Sequence, residues 1–152
     1  MEPAELIQSL GSRLNIELGF DENGTCGFEA DGMVVTIFNL PEINAVVLNG
    51  DIGEPPPEKL ETLYASMLEA NHCFQGTAGA TLSRSPETGK IGLFKALSPV
   101  LLDGETFAAE VERFVNVLEL WTKIVKNYRE QSSDTEINAG ETELKDGDFL
   151  RV

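Results

Sequence analysis

The stretch from Leu101 to Tyr128 constrains the fold more than any other, because it predicts one long and largely apolar helix. Its apolar residues recur at alternating steps of three and four, the spacing of one helical face. Asp103 is a good N-cap, so the helix is predicted over residues 104–129, about 39 Å at 1.5 Å per residue. Such a helix must lie across a sheet, another helix or both. The residues predicted to form core against the sheet are Phe107, Phe114, Leu118, Trp121 and Val125.

Two further helices and five strands are predicted upstream. Apolar residues at helical spacing after Pro3 indicate a first helix over 3–15, and the same pattern after three consecutive prolines indicates a second over 57–73. Asp31-Gly32 is a strong signal for a two-residue hairpin turn, and Gly89 suits the positive φ of a second turn. The predicted strands are 26–30, 33–40, 43–52, 80–83 and 91–97.

The element order is therefore α-β-β-β-α-β-β-α, which predicts an α+β fold. Short connections favour an antiparallel five-stranded sheet, with the three helices packed mainly on one side. Residues 1–130 form the predicted domain. Residues 131–152 have sparse apolar content and an acidic excess, so they are predicted to be a disordered tail.

The chain carries a net charge of −15, which makes phosphate backbones and anionic membrane surfaces poor partners. Its N-terminus does not resemble a signal peptide, and no apolar run reaches the roughly 20 residues that span a bilayer. Cys26 and Cys73 lie far apart without a CxxC or Cys/His grouping, which argues against a disulfide framework or a zinc site. These features predict a cytoplasmic protein, or one that leaves the cell by an unusual route, and they predict that it binds neither nucleic acid nor membrane.

Catalytic equipment is not evident in the sequence. His72 is the only histidine, and its position at the end of the second helix suits a structural or capping role. Cys73 is adjacent to it, but neighbouring helical residues point about 100° apart. The glycines lack phosphate-loop spacing. The expectation is a protein that is not an enzyme and that needs no cofactor and no metal.

The sequence instead shows a surplus of apolar faces. The strand around residues 33–40 offers Met33, Val35 and Ile37 on one face, with Val34 and Phe38 on the other. It lacks the polar-out alternation of a sheet half exposed to water. Two explanations are open: the strand is central and covered on both sides by its own chain, or a second copy or a bound peptide covers part of this surface.

The chain resembles the class I chaperones of type III secretion, also called the Tir chaperone family. The likeness covers residues 3–129 and rests on the element order, the small acidic chain and a run of structural motifs. These motifs are a helix ending in Leu-x-x-Asn (68–71), a glycine at 76 or 79, a Thr-Gly-Lys-Ile turn (88–91) and a long helix with the late Trp121.

The resemblance implies a bacterial cytoplasmic homodimer without enzymatic activity. It implies that the dimer binds the N-terminal segment of a secreted effector in extended form and keeps it soluble and competent for secretion. Nucleotide hydrolysis would belong to a separate secretion ATPase, which is a further candidate partner. The alternatives are a regulatory or adaptor peptide-binding domain of the same fold, and a small enzyme with an unrecognised site.

Residue roles follow from the resemblance as well. The second helix and the following strand would build the dimer interface, and the first helix and early strands would contact the effector. The dimer residues are then Leu60, Leu63, Tyr64, Met67 and Leu68. The effector-binding residues are Leu10, Leu14, Phe28, Met33, Val35 and Ile37.

Overall fold

A computed structural model describes the backbone of residues 1–138 and the side chains through residue 132. The helices and strands follow the predicted order, and the strand bounds differ from prediction by at most two residues. The elements are α1 (Pro3–Leu14), β1 (Thr25–Ala30), β2 (Met33–Leu40), β3 (Ala45–Gly53), α2 (Leu60–Asn71), β4 (Thr81–Arg84), β5 (Ile91–Leu97) and α3 (Gly104–Asn138). Short 3-10 turns lie at Pro41–Ile43, His72–Phe74 and Pro99–Leu101.

The strands form one antiparallel sheet in the order β1-β2-β3-β5-β4, so β1 and β4 are its edges. The hairpin turn between β1 and β2 is built as predicted, with positive φ at both Asp31 (51°) and Gly32 (78°). Positive φ at both central positions is the requirement of a type I′ turn. Gly89 also has the positive φ predicted for it, at 74°. The predicted five-stranded α+β fold is confirmed.

The core lies between the helices and one face of the sheet, here called the inner face. Helix α3 crosses β3 on this face, and α1 packs against α3. Gly50 permits the crossing, because a β-carbon there would come within 2.6 Å of Leu118. The predicted core residues of α3 are all buried, at no more than 5% exposure: Phe107, Phe114, Leu118, Trp121 and Val125.

The opposite, outer face of the sheet carries no helix of the described chain. Val34 is 59% exposed and Phe94 is 38% exposed. Phe38 and Val47 are only half-buried. The sequence left two explanations open for the apolar strands. The explanation in which the chain's own helices cover both faces of the sheet is therefore wrong for residues 1–138.

Helix boundaries differ from prediction at α2 and α3. Helix α2 begins three residues late because Lys59 is left-handed (φ 59°), and it ends before the extended backbone of His72. Helix α3 continues past the predicted end at 129 to Asn138. The backbone of α3 stays helical there although the apolar stripe has ended. Within this extension, the Ser132 hydroxyl donates to the Tyr128 carbonyl. The predicted disorder concerns residues 131–152, of which 139–152 lie outside the described residues.

Candidate functional site

Strand β1 presents a free edge on the side away from β2. The two-residue turn makes Ala30 and Met33 a hydrogen-bonded pair, and the alternation of an antiparallel ladder then directs the backbone groups of Gly27 and Glu29 outward. Both residues are exposed, and their outward N–H and C=O groups bond to no residue of the described chain. These four backbone groups can accept an additional strand.

The edge ends at Thr25, where the chain closes it. Asp21 Oδ1 accepts the Thr25 N–H at 2.9 Å, and the Asp21 N–H donates to the Thr25 carbonyl at 2.9 Å. The open part of the β1 edge is therefore limited to Gly27 and Glu29, next to the hairpin turn.

An apolar groove runs beside this edge, between α1, β1 and α3. Its volume is about 400 Å³. Charged and polar side chains from Arg13, Asp31, Glu112 and Asn116 contribute to its lining. Its apolar lining comes from Leu10, Leu14, Phe28, Ala30, Ala108, Val111 and Val115. An apolar floor with a polar margin is the usual composition of a site that holds a peptide segment.

Three of the predicted effector-binding residues meet in this groove. Leu14 is 46% exposed at its surface, whereas Leu10 (2%) and Phe28 (8%) are buried beneath it. Met33 is partly exposed on the adjacent strand, and its sulfur lies 3.9 Å from the Thr122 hydroxyl.

Val35 and Ile37 do not reach the surface. Both have 0% exposure on the inner face, beneath the helices, so neither is available to a ligand in this structure. The alternation of β2 was read correctly, but the face that carries these two residues is the one covered by the chain itself. The predicted contact role does not fit their position, and both belong to the core.

Helix α2 carries a second apolar surface. Leu68 is 71% exposed and Leu60 is 36% exposed, with half-buried Tyr64 one turn from each. Leu63 (0%) and Met67 (4%) instead face the core of their own subunit. The five predicted dimer residues therefore divide into an exposed stripe of three, called here the α2 stripe, and two that support it from inside.

A groove of about 220 Å³ lies between the α2 stripe and β4. It is lined mainly by apolar atoms of Tyr64, Met67 and Leu68, with Leu82 and the stem of Arg84 opposite. Leu68 lines this groove and is also the most exposed residue of the α2 stripe.

Sequence reasoning missed the backbone of Gly27 and Glu29 and the contribution of Val111 and Val115 to the groove. The outward direction of the Gly27 and Glu29 backbone could have been predicted, because the Asp31-Gly32 turn fixes the register of the hairpin. The contribution of Val111 and Val115 could not, because it depends on the angle at which α3 crosses the sheet.

Within the described residues, neither of the two cysteines nor the histidine lines either groove. Burial raises the pKa of the Cys26 thiol, and the negative charge of Asp21 raises it further. A backbone hydrogen bond with Gly19 lowers this pKa but does not outweigh the other two effects. His72 is an exposed residue at the end of α2, as expected for a capping role. Residues 1–138 bring together no group of three or more His, Cys, Asp or Glu that could hold a metal ion. No helix within that range is long and apolar enough to cross a membrane.

Several solved structures of protein complexes have the same fold. The crystal structure of the ExsC–ExsE complex superposes with a TM-score of 0.69 at 20% identity, covering 82% of this chain and 97% of the other. The ExoT–SpcS complex from Pseudomonas aeruginosa gives 0.61 at 21% identity, covering 78% and 97%. The Yersinia pestis type III secretion chaperone SycH, in complex with a fragment of YscM2, gives 0.62 at 17% identity, covering 78% and 98%.

No curated protein sequence matches the chain. The structural likenesses, at these identities, establish the fold. The evidence for family membership is the family model of the Tir chaperone proteins (CesT), which matches residues 5–122, from the first turn of α1 to the middle of α3. The chain belongs to the Tir chaperone protein (CesT) family.

Proposed function

We propose that this protein is a bacterial cytoplasmic chaperone that binds the N-terminal segment of a type III secreted effector in extended form. The observation that carries the proposal is the juxtaposition of the open β1 edge with the groove beneath Leu14. A segment that pairs with Gly27 and Glu29 has its backbone satisfied without folding. Every second side chain of that segment then points toward the inner face, where the groove lies.

The geometry favours an unfolded partner over a folded one. Strand addition uses only backbone groups of the partner, so it tolerates many sequences, while the groove selects for apolar side chains at alternate positions. The open edge holds two residues, which limits the strand contact to a few hydrogen bonds of about 1 kcal/mol each. The apolar groove therefore has to contribute much of the affinity.

The second copy of the chain is proposed to lie against the α2 stripe. In a two-fold symmetric dimer, Leu68 of each subunit would enter the groove between α2 and β4 of the other. Tyr64 and Leu60 continue the stripe one and two turns from Leu68 toward the N-terminus of α2. Leu63 and Met67 hold α2 on the sheet, so they act on the interface by fixing its position.

The charge of −15 suits a protein with this much apolar exterior. Mutual repulsion keeps copies apart except where a specific contact forms, and it favours encounters with basic segments. Binding of this kind requires no catalysis and no cofactor from the chain. Nucleotide hydrolysis is assigned to the secretion ATPase as a separate partner.

An adaptor or regulatory role for the same peptide site is the alternative, and a secretion assay distinguishes the two. Deletion of the gene should abolish secretion and lower the intracellular level of the effector that co-purifies with the protein. The unmodified gene should restore both. An effector that is secreted normally in the deletion strain would favour the adaptor role, and the absence of any co-purifying polypeptide would contradict both.

A further inference from the structure

An extended segment that adds to β1 presents its side chains to two different surroundings, because successive side chains of a strand point to opposite faces. The side chains opposite Phe28 and Ala30 point to the inner face, where both of these residues line the groove. The side chains opposite Gly27 and Glu29 point to the outer face. The groove selects the first set for apolar character, so selection among the second set depends on Gly27 and Glu29.

Glu29 places a charge at this outer position. It is an exposed residue opposite Val34 of β2, which is itself 59% exposed. Among residues 1–132, no basic side chain lies within ion-pair distance of the Glu29 carboxylate. Gly27, on the same face, has no side chain, and the nearest atom to a β-carbon there would be 3.9 Å away. The space beside Glu29 is therefore open to a long side chain of an added strand.

The polar margin of the groove adds charge of the same sign. Asp31 and Glu112 contribute carboxylates to it, and Arg13 contributes its single guanidinium group. Opposite charges that face each other across a strand pair are favourable, and like charges are unfavourable. An added segment with a lysine or arginine opposite Glu29 is therefore preferred over one with an aspartate or glutamate there.

The same carboxylate disfavours a second copy of the chain at this edge. Charged side chains on an edge strand are a common device against pairing with the wrong strand. Each copy carries Glu29 and a net charge of −15, so two copies that meet edge to edge at β1 repel each other. The open edge thus discriminates in favour of basic segments.

We propose that Glu29 is a specificity-determining residue, which selects an extended segment that has apolar side chains toward the groove and a lysine or arginine opposite Glu29 on the outer face. The proposal rests on the proposed function, since it names the chemical class of the segment that adds to β1. It goes beyond a general attraction between an acidic protein and a basic segment, because it places the cation at one position of the segment.

The test measures the affinity of the full chain for two acetylated and amidated peptides, (Val-Lys)4 and (Val-Glu)4, by titration calorimetry. When valine points toward the groove, a charged side chain lies opposite Glu29 whichever way the peptide runs. The unmodified protein should prefer (Val-Lys)4. In Glu29→Lys, we expect the affinity for (Val-Lys)4 to fall about tenfold and the affinity for (Val-Glu)4 to rise about tenfold. A purely structural role for Glu29 would not exchange the preference between the two peptides.

Glu42→Lys is the matched control, because it makes the same change in net charge at an exposed residue of the Pro41–Ile43 turn. Nearly the length of β2, which is eight residues or about 26 Å, separates this turn from Glu29. That distance is about three times the screening length at physiological ionic strength. The control should therefore change either affinity by no more than about twofold. Should Glu29→Lys fail to fold, Glu29→Gln should still narrow the preference for (Val-Lys)4, whereas Glu42→Gln should not.

Equal changes in Glu29→Lys and Glu42→Lys would overturn the proposal, because the preference would then follow net charge alone. Amide hydrogen exchange at Gly27 and Glu29, with and without each peptide, shows whether the peptides add at β1. If neither peptide slows exchange at these two residues, the proposed function fails. If exchange slows but the preference does not depend on Glu29, the specificity role fails and the proposed function stands.

Discussion

The ammonium group of Lys95 on β5 lies 2.6 Å from a carboxylate oxygen of Glu110 on α3. The two side chains are only 12% and 18% exposed, and Lys95 also donates to the carbonyl of Ala78 at 2.9 Å. The indole N–H of Trp121 donates to the Gly76 carbonyl at 3.0 Å. Together these contacts fasten the loop after α2 to the sheet and to α3, and so fix the position of the α2 stripe.

Glu110→Gln should destabilise the protein at neutral pH by about 1–3 kcal/mol, because it leaves the largely buried Lys95 side chain without its counter-charge. Burial alone would raise the pKa of Glu110, but the hydrogen bond and charge of Lys95, with Arg113, outweigh it and hold that pKa below its ordinary value. Because the pKa of Glu110 is lower in the folded than in the unfolded protein, its carboxylate stabilises the fold at pH values above the unfolded-state pKa. This stabilisation is lost as the pH falls through the folded-state pKa.

The measurement is urea unfolding of both proteins at pH 7 and at successively lower pH. The difference between them should shrink as the pH falls below the ordinary range of a glutamate. Glu119→Gln is the matched control, because its pair with Lys123 is exposed and should cost little at any pH. A difference that grows on acidification would contradict this assignment.

Leu68→Glu should convert a dimer into a monomer without unfolding the subunit, because Leu68 is 71% exposed in the single chain. Sedimentation of the unmodified protein should give about twice the chain mass of 16.6 kDa. Leu120→Glu, at a 51% exposed position on α3, should remain dimeric. A charge at Met67 would be a poorer test, since Met67 is buried in its own subunit. A monomeric unmodified protein would exclude the proposed interface.

Leu14→Asp should weaken binding of the co-purified effector segment by about tenfold or more, because a charge in the groove is desolvated when the segment binds. Ile16→Asp is the control, since Ile16 is 45% exposed, close to the 46% of Leu14, and lies outside the groove. Titration calorimetry with the purified segment gives both affinities. Equal losses in the two variants would indicate a general charge effect and not a contact at the groove.

Truncation after Glu130 should lower the midpoint of thermal unfolding, whereas truncation after Asn138 should leave it nearly unchanged. Ser132 is 1% exposed, so α3 is still packed at that residue. Differential scanning calorimetry of both truncations measures the effect. Equal midpoints after removal of residues 131–152 and of 139–152 would support the domain boundary at 130 that the sequence predicts.

The order of elements was predictable because strand and helix periods differ, and because Asp31-Gly32 permits essentially one kind of turn. The core face of α3 followed from the spacing of Phe107, Phe114 and Leu118 in the same way. The extension of α3 to Asn138 was not predictable from that stripe, since backbone hydrogen bonds continue where apolar residues stop.

The site was predictable only in part. Periodicity shows that Val35 and Ile37 share a face with Met33, but it does not show which face the helices cover, and those two residues proved to be core. Leu63 and Met67 were grouped with Leu60, Tyr64 and Leu68 because the resemblance assigns the second helix as a whole to the interface.

The side-chain hydrogen bond from Asn71 to the Leu82 carbonyl was not predictable either. It joins residues 11 positions apart, and the loop between them has left-handed residues at Cys73, Phe74 and Ala78.

The most direct test of peptide binding at β1 compares Gly27→Pro with Gly27→Ala in affinity for the effector segment. Proline removes an outward N–H and fills the place of the added strand, but it leaves the ladder to β2 intact. Alanine fits, since the closest atom to its β-carbon would be the Val35 carbonyl oxygen at 3.9 Å. We expect Gly27→Pro to lose at least about tenfold in affinity and Gly27→Ala to bind normally. A folded Gly27→Pro protein that binds the segment as tightly as the unmodified chain would contradict strand addition at β1.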